Sequence, residues 1–280
     1  MHMTLTPLRA AAGATPPWRD VVVDGVRLAV DDTGSGPAIV CLHAIGHGAG
    51  DFRAFRERVG SRHRVVAIDF PGQGRSGDDH RPPTSHRYAE LTAGVLDALG
   101  IERAVVVGNS IGGATAMRLA AARPERVSAL VLENPGGLDP SDPIARTAIA
   151  GMVRFFDAGA RRARWFPRAF TLYYRMVLQR AAAAEQRRRI IASAFEIAPL
   201  LRDAWRGFGA PDADLRDLAA GLRVPVLFAW ARRDQIVQLR RCRPAIARVP
   251  GARLECFAAG HAPHLETADE FAAAVERFIA

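Results

Sequence analysis

Short apolar runs alternate with stretches of helical spacing along most of this chain of 280 residues. Six such runs stand out, at residues 38–42, 64–68, 104–107, 127–132, 224–230 and 254–257. A run that is apolar almost throughout is typical of a strand buried on both faces. Strands that alternate with helices need crossover connections, which give a mostly parallel sheet covered by helices on both faces. We therefore predict an α/β fold with a twisted sheet of about eight strands, beginning with a hairpin formed by residues 21–23 and 27–31.

One part of the chain interrupts this alternation. After the run at 127–132, no strand pattern returns until residue 224, and the sequence between them differs in composition. Residues 151–210 contain twelve arginines but only four acidic residues, together with half of the aromatic residues of the chain. We predict a separate insertion here, with a basic surface.

The overall charge and the cysteines limit the functional classes. The net charge is +9, and all 38 basic residues are arginine, a bias that points to codon usage in a GC-rich genome. We find no nucleic-acid recognition motif, no apolar run long enough to span a bilayer, and no signal-peptide pattern in residues 1–17. The three cysteines have no metal-ligand spacing. We expect a cytoplasmic protein, monomeric or homodimeric, without metal or cofactor.

A serine stands on a turn between a strand and a helix. Residues 108–112 read Gly-Asn-Ser-Ile-Gly and lie between the apolar run at 104–107 and a helix-like stretch. Such a turn strains the backbone of the serine and leaves no room for side chains two positions away, a requirement that Gly108 and Gly112 meet. The pattern predicts an activated hydroxyl at Ser110.

Reactive residue types also follow other predicted strands. Ser110, Asp234 and His261 each follow one of the apolar runs, in that order along the chain. Functional groups collect at the carboxyl ends of the strands in a parallel sheet. Two further runs lead into glycine-rich segments at 43–48 and 69–76, the first of which can present backbone N–H groups. The sequence therefore predicts a site for nucleophilic catalysis at this edge of the sheet.

These motifs together resemble those of the α/β-hydrolase superfamily, from about Trp18 to the C-terminus outside the insertion. The matching segments are Leu42-His43 with its glycine loop, Asp69-x-x-Gly-x-Gly-x-Ser76, Gly108-Asn-Ser-Ile-Gly-Gly113, Asp234 after a strand, and Gly260-His261-x-Pro263-x-x-Glu266. In that family the insertion is a helical cap over the active site. The resemblance thus implies an α/β core at 18–137 and 219–280, a cap at 138–218, and a loose leader at 1–17.

The resemblance also implies a role for each site residue. Ser110 is the expected nucleophile and His261 the expected general base, while Asp234 orients the imidazole ring and stabilises its charged form. The backbone N–H groups of Ile45 and Ile111 are expected to form the oxyanion hole.

Two positions depart from the usual pattern. Ala44 follows the histidine of the oxyanion loop, where the family commonly has glycine. Glu133 stands where some relatives place the acid, so it is an alternative to Asp234, which occupies the usual position.

We expect a serine hydrolase that cleaves a carboxylic ester of a small, largely apolar substrate. The alternatives are a C–C bond hydrolase acting on a vinylogous diketone, whose anionic substrate an arginine of the insertion would hold, and a thioesterase. Outside catalysis, the chain could be a ligand-binding pseudoenzyme. The fold and the triad do not decide among these, because one scaffold hosts many chemistries.

Overall fold

The computed structural model of the protein describes residues 18–280, so the predicted leader at 1–17 lies outside the described residues. The strands are β1 (Trp18–Val23), β2 (Val26–Thr33), β3 (Ala38–Leu42), β4 (Arg64–Ile68), β5 (Ala104–Asn109), β6 (Val127–Glu133), β7 (Val226–Ala231) and β8 (Arg253–Phe257). The helices are α1 (Arg53–Val59), α2 (Ser85–Ala98), α3 (Ile111–Ala122), α4 (Pro143–Ala160), α5 (Phe166–Val177), α6 (Ala184–Ala192), α7 (Ala194–Phe208), α8 (Arg216–Ala220), α9 (Leu239–Ile246), α10 (Pro263–Glu266) and α11 (Ala268–Ile279).

The eight strands form one open sheet in the order β1-β2-β4-β3-β5-β6-β7-β8. All neighbouring strands from β4 to β8 pair in parallel, whereas β1, β2 and β4 pair antiparallel. The β1–β2 turn uses Asp24 and Gly25, both with positive φ (49° and 77°), as a two-residue hairpin turn requires. The predicted α/β fold with a mostly parallel sheet of about eight strands is confirmed.

Each face of the sheet carries its own apolar layer. Along β3, Val40 and Leu42 belong to one buried cluster, and Ile39 and Cys41 to the other, because successive side chains of a strand point to opposite faces. Helices α2, α3, α8 and α9 contribute to the first cluster, while α1 and α11 contribute to the second. The sheet is therefore buried on both faces, which explains the continuous apolar runs in the sequence.

One strand begins later than its apolar run predicts, and proline explains the difference. The strand predicted from residue 224 begins at Val226, because Pro225 has no N–H with which to join the ladder.

Four helices, α4 to α7, occupy the chain between β6 and the segment that leads to β7. Their inner sides carry the aromatic residues of the insertion, with Phe156, Phe166 and Phe170 fully buried and in mutual contact. Most of the arginines lie on the outer sides of these helices. The division of the chain into a core and a cap at residues 138–218 stays a prediction.

Candidate active site

The turn between β5 and α3 places Ser110 in a strained backbone conformation, with φ 56° and ψ −115°. A β-carbon on Gly108 would lie 2.3 Å from the carbonyl oxygen of Gly112, and one on Gly112 would lie 2.2 Å from the carbonyl oxygen of Leu42. Backbone strain of this kind persists only where the surrounding structure enforces it, and it is concentrated at functional sites. The close packing of β5, α3 and β3 thus fixes the position of the serine.

The structure brings His261 and Asp234 together. Nδ1 of His261 donates to Oδ2 of Asp234 at 2.7 Å, and both side chains are buried. The other carboxylate oxygen, Oδ1, accepts hydrogen bonds from the backbone N–H groups of Ile236 (2.7 Å) and Val237 (3.1 Å). Asp234 is therefore held on both oxygens, and its bond to His261 leaves Nε2 of the ring free to accept a proton.

Two asparagines, for which the sequence predicted no role, stabilise this arrangement. Asn134 donates to Oδ2 of Asp234 at 2.5 Å and accepts from the N–H of Ala231 at 3.0 Å. Asn109, directly before the serine, donates to the backbone carbonyl of His261 at 2.9 Å. Each asparagine ends or directly follows a buried strand, and this polar position at a strand end is the signal that could have revealed them.

The pKa of His261 is raised above its ordinary value. Burial alone would lower it, but the charge and the hydrogen bond of Asp234 outweigh the burial, with smaller contributions from Glu266 and Glu133. The imidazole therefore binds a proton more tightly than a histidine in water. A base of this kind suits the transfer of a proton from a serine hydroxyl.

Glu133, the alternative acid, has a different partner. Its Oε2 accepts hydrogen bonds from Nδ1 of His264 at 2.8 Å and from the N–H of the same residue at 3.0 Å. The ring of His264 stacks on Phe52, with ring centroids 4.1 Å apart. The geometry thus pairs Glu133 with His264 and Asp234 with His261.

The loop after β3 is tied to the loop after β4 by His43. Its Nε2 accepts from the N–H of Phe70 at 2.9 Å, and its Nδ1 donates to the carbonyl of Ala44 at 2.7 Å. Burial lowers the pKa of His43, which favours the neutral ring that both bonds require. The alanine that replaces the usual glycine is accommodated in this loop, fully enclosed.

The backbone N–H groups of the same loop differ in whether they have a hydrogen-bond acceptor. The N–H of Gly46 donates to Oε1 of Gln73 at 2.6 Å. The N–H of Ile45 has no acceptor among residues 18–280. Ile111 is the first residue of α3, so its N–H lies among those that a helix leaves unpaired. Two free donors therefore flank the position of Ser110.

Glu266 fixes the histidine loop to the inserted helices. Its Oε1 accepts from the N–H groups of Gly260 (2.9 Å), His261 (3.0 Å) and Ala262 (3.3 Å). Its Oε2 accepts from the N–H groups of Gln179 and Arg180, both at 2.9 Å, directly after α5. One buried carboxylate therefore receives five backbone hydrogen bonds and sets the position of the histidine loop relative to α5.

A cavity of about 520 Å³ lies between the sheet edge and the inserted helices. Ser110, His261, Ile45 and Ile111 line it, while Asp234 lies behind the histidine. Its apolar wall comes mainly from α4, α5 and α7, through Met152, Tyr173, Tyr174, Val177, Leu201, Trp205 and Phe208. The predicted serine, base and oxyanion donors thus share one cavity.

None of the twelve arginines at 151–210 is among the described residues that line this cavity. Among the described residues, the wall therefore lacks the arginine of the insertion with which the C–C hydrolase alternative would hold its anionic substrate, and the charge of the substrate stays a prediction. The one arginine in the wall is Arg118 of α3, which donates to Ser85 and lies 3.6 Å from the carboxylate of Asp212. The inserted arginines lie outside because the aromatic residues between the helices occupy the inner sides.

Comparisons with known proteins identify the family of the chain. The alpha/beta hydrolase family matches residues 39–274, and the chain belongs to that family. A relative from Azorhizobium caulinodans, named as a carbamate hydrolase, is 33% identical over 85% of this chain and 89% of its own length. The 2-hydroxy-6-oxo-6-phenylhexa-2,4-dienoate hydrolase of Comamonas testosteroni is 31% identical over 86% of this chain and 87% of its own. The predicted resemblance is confirmed, and the chain is a hydrolase of this family.

The fold has a close match among solved structures. A thermophilic esterase from Thermogutta terrifontis superposes with a TM-score of 0.79, covering 94% of this chain and 97% of its own, at 22% identity. Within residues 18–280, we find no helix with the length and apolarity needed to cross a bilayer.

Replacing Glu266 by glutamine is expected to destabilise the protein and to lower its activity. Glutamine keeps one accepting oxygen, but the NH2 group that replaces the other cannot accept, so at least two backbone N–H groups lose their acceptor. Each buried donor left unpaired costs about 1–3 kcal/mol. The free energy of unfolding should therefore fall by at least about 2 kcal/mol in urea titrations. Glu270→Gln, a matched change at an exposed position of α11, should leave it unchanged. Equal stability of the two variants would contradict the assigned role of Glu266.

Proposed function

We propose that this protein is a serine hydrolase that cleaves a carboxylic ester of a small, largely apolar substrate through an acyl-enzyme. The observation that carries the proposal is the bond between His261 and Asp234 at the wall of a cavity that also contains Ser110. A nucleophile, a base and a group that orients the base are the parts that nucleophilic catalysis needs.

The reaction has two stages. His261 accepts the proton of Ser110 as the serine oxygen attacks the carbonyl carbon of the ester. Collapse of the tetrahedral intermediate breaks the ester bond, and the alcohol leaves with the proton from His261. Water then attacks the acyl-enzyme by the same route and releases the acid.

The free N–H groups of Ile45 and Ile111 would stabilise the oxyanion in both stages. Donors fixed in position before charge develops contribute about 3–4 kcal/mol each to the transition state. Gln73 supports this geometry by holding the next N–H of the loop, that of Gly46, away from the cavity. Asp234 would stabilise the imidazolium that forms when His261 takes up the proton.

The lining of the cavity supports a neutral, apolar substrate. Two of its acidic side chains already have protein partners, Asp139 in Arg241 and Asp214 in Arg216. A volume of about 520 Å³ lies in the range of sites for small molecules. Acyl and alcohol groups of ordinary ester size would fit against the aromatic wall.

C–C bond hydrolysis is the second candidate, because the relative from Comamonas testosteroni is named for a dienoate substrate. The lack of an unpaired arginine in the described wall weighs against an anionic substrate. We also retain the thioesterase and the non-catalytic ligand-binding protein as hypotheses.

The three free cysteines, Cys41, Cys242 and Cys256, support the cytoplasmic location that we propose. Its oligomeric state, monomer or homodimer, stays a prediction.

Ser110→Ala should abolish the hydrolysis of short activated esters, with kcat falling by roughly 10⁴-fold or more, because only the oxyanion donors and binding remain. Mass spectrometry of protein treated with an active-site phosphonate should find the label on Ser110 and on no other serine. Ser193→Ala, a matched change between α6 and α7, should keep full activity and labelling. The absence of labelling and of turnover on esters, thioesters and a dienoate ketone would favour the non-catalytic alternative.

Asp234→Asn should lower kcat by about 10⁴-fold and shift the pH profile. His261 must be unprotonated to act as a base, so kcat/KM rises with pH through its pKa and then levels off. Because Asp234 raises that pKa, the variant should reach its plateau at a lower pH than the wild type. A kcat/KM profile between pH 4 and pH 9 checks this direction. A midpoint that stays in place would show that Asp234 does not set the pKa of the base.

A neutral ester should be preferred over an anionic one of the same size. 4-Nitrophenyl butyrate and the 4-nitrophenyl monoester of succinic acid differ by a terminal carboxylate, which would be desolvated in the cavity, where the described arginine of the wall, Arg118, already has partners. We expect kcat/KM to be at least about tenfold higher for the butyrate. Faster turnover of a 2-hydroxy-6-oxo-dienoate than of either ester would favour the C–C hydrolase.

A further inference from the structure

Exposed apolar side chains are concentrated on the inserted helices. Among the described residues, the large exposed hydrophobic side chains are those of Val22, Ile144, Trp165, Leu172 and Met176. All but Val22 lie between β6 and β7, and three of them lie on or directly before α5. The exposed parts of these side chains lie outside the apolar core, so their presence at the surface needs another explanation.

Trp165, Leu172 and Met176 follow one another at helical spacing, as do Arg168 and Arg175. At 100° per residue, the five side chains fall within one side of α5, which we call its outer face. Their exposure is substantial, with 67% for Leu172, 53% for Trp165 and 39% for Met176. The opposite side, with Phe166, Phe170 and Tyr174, is buried. The helix is thus apolar on both sides, but only one side is covered.

The arginines of the outer face carry charge without protein partners. Neither Arg168 nor Arg175 forms an ion pair with any residue in the described part of the chain. The surrounding window has twelve arginines and four acidic residues, and several of those acids are already paired elsewhere. The outer face therefore combines exposed apolar groups with an uncompensated positive charge.

We propose that the outer face of α5 docks on the surface of an anionic phospholipid bilayer. Apolar side chains enter the boundary between headgroups and acyl chains, while flanking arginines contact lipid phosphates, and tryptophan favours this boundary. A second copy of this chain would bring an equally basic face, and the repulsion opposes such a dimer. A convex helix with apolar groups among its arginines suits a fluid lipid surface better than an acidic protein, which would need a matching groove.

The docked helix also borders the candidate active site. Met176 belongs to the outer face and also lines the cavity, and Tyr173, Tyr174 and Val177 line it from the inner side of α5. An apolar ester dissolved in the bilayer could therefore enter the cavity beside Met176. This entry route rests on the proposed function, whereas the docking itself does not.

Flotation with vesicles tests the docking. The full chain is mixed with vesicles of phosphatidylcholine alone, and with vesicles in which about one-third is phosphatidylglycerol. The variants are Arg168→Glu combined with Arg175→Glu, and Leu172→Ser by itself. The matched control combines Arg103→Glu with Arg123→Glu, two exposed arginines of the α/β core that form no ion pair in the described residues. Thermal melting of each variant should match the wild type.

We expect binding to the anionic vesicles only, and its loss at high salt. The double charge reversal on α5 should weaken binding by at least about 20-fold, since one arginine near an anionic surface contributes roughly a fivefold factor. Leu172→Ser should also weaken it, and the control should bind as the wild type does.

Other outcomes overturn the proposal. These are no binding to anionic vesicles, equal loss in the control, or binding to a polyglutamate peptide with none to vesicles. Hydrolysis of a water-soluble short ester, measured on the same samples, should be unchanged in all variants. Vesicle binding without any ester hydrolysis would reject the proposed function and leave the docking surface intact.

Discussion

The candidate site depends on the carboxylate of Asp234, which is buried and has hydrogen-bond donors on both of its oxygens. Burying a lone charge would cost far more free energy than this fold can supply. The carboxylate of Asp234 is instead fully hydrogen-bonded, because its oxygens accept from two backbone N–H groups, from Asn134 and from His261. Its charge and its hydrogen bond raise the pKa of His261 despite the burial of the ring. The chemistry proposed for Ser110 follows from this network.

The same principle joins the sheet to the inserted helices. Glu266 is buried, and five backbone N–H groups stabilise its carboxylate. Because those donors come from the histidine loop and from the end of α5, any displacement of α5 there would break hydrogen bonds beside His261. The C-terminal end of α5 is thus tied to the histidine loop by hydrogen bonds.

Much of the fold could be predicted from the sequence because buried parallel strands and the serine turn are specified locally. The run at 104–107 and the glycines around Ser110 constrain the backbone whatever the rest of the chain does. The partner of Asn134 and the pairing of Glu133 with His264 could not be predicted, since both contacts join side chains more than 90 residues apart in the sequence. A sequence pattern shows which residues stand at strand ends, but only packing decides which of them meet.

The positions of the arginines in the insertion also could not be predicted from composition. The C–C hydrolase alternative needed one of them to hold an anionic substrate, and the cavity wall in the described structure contains none of them. Composition identifies a basic segment without saying which side of each helix carries the charge. On α5 the helical spacing of the residues shows which side carries the charge. The aromatic residues that fill the interior recur on one side of the helix, and Arg168 and Arg175 lie on the other. Charge on that side can act on a partner at the surface but not on a substrate in the cavity.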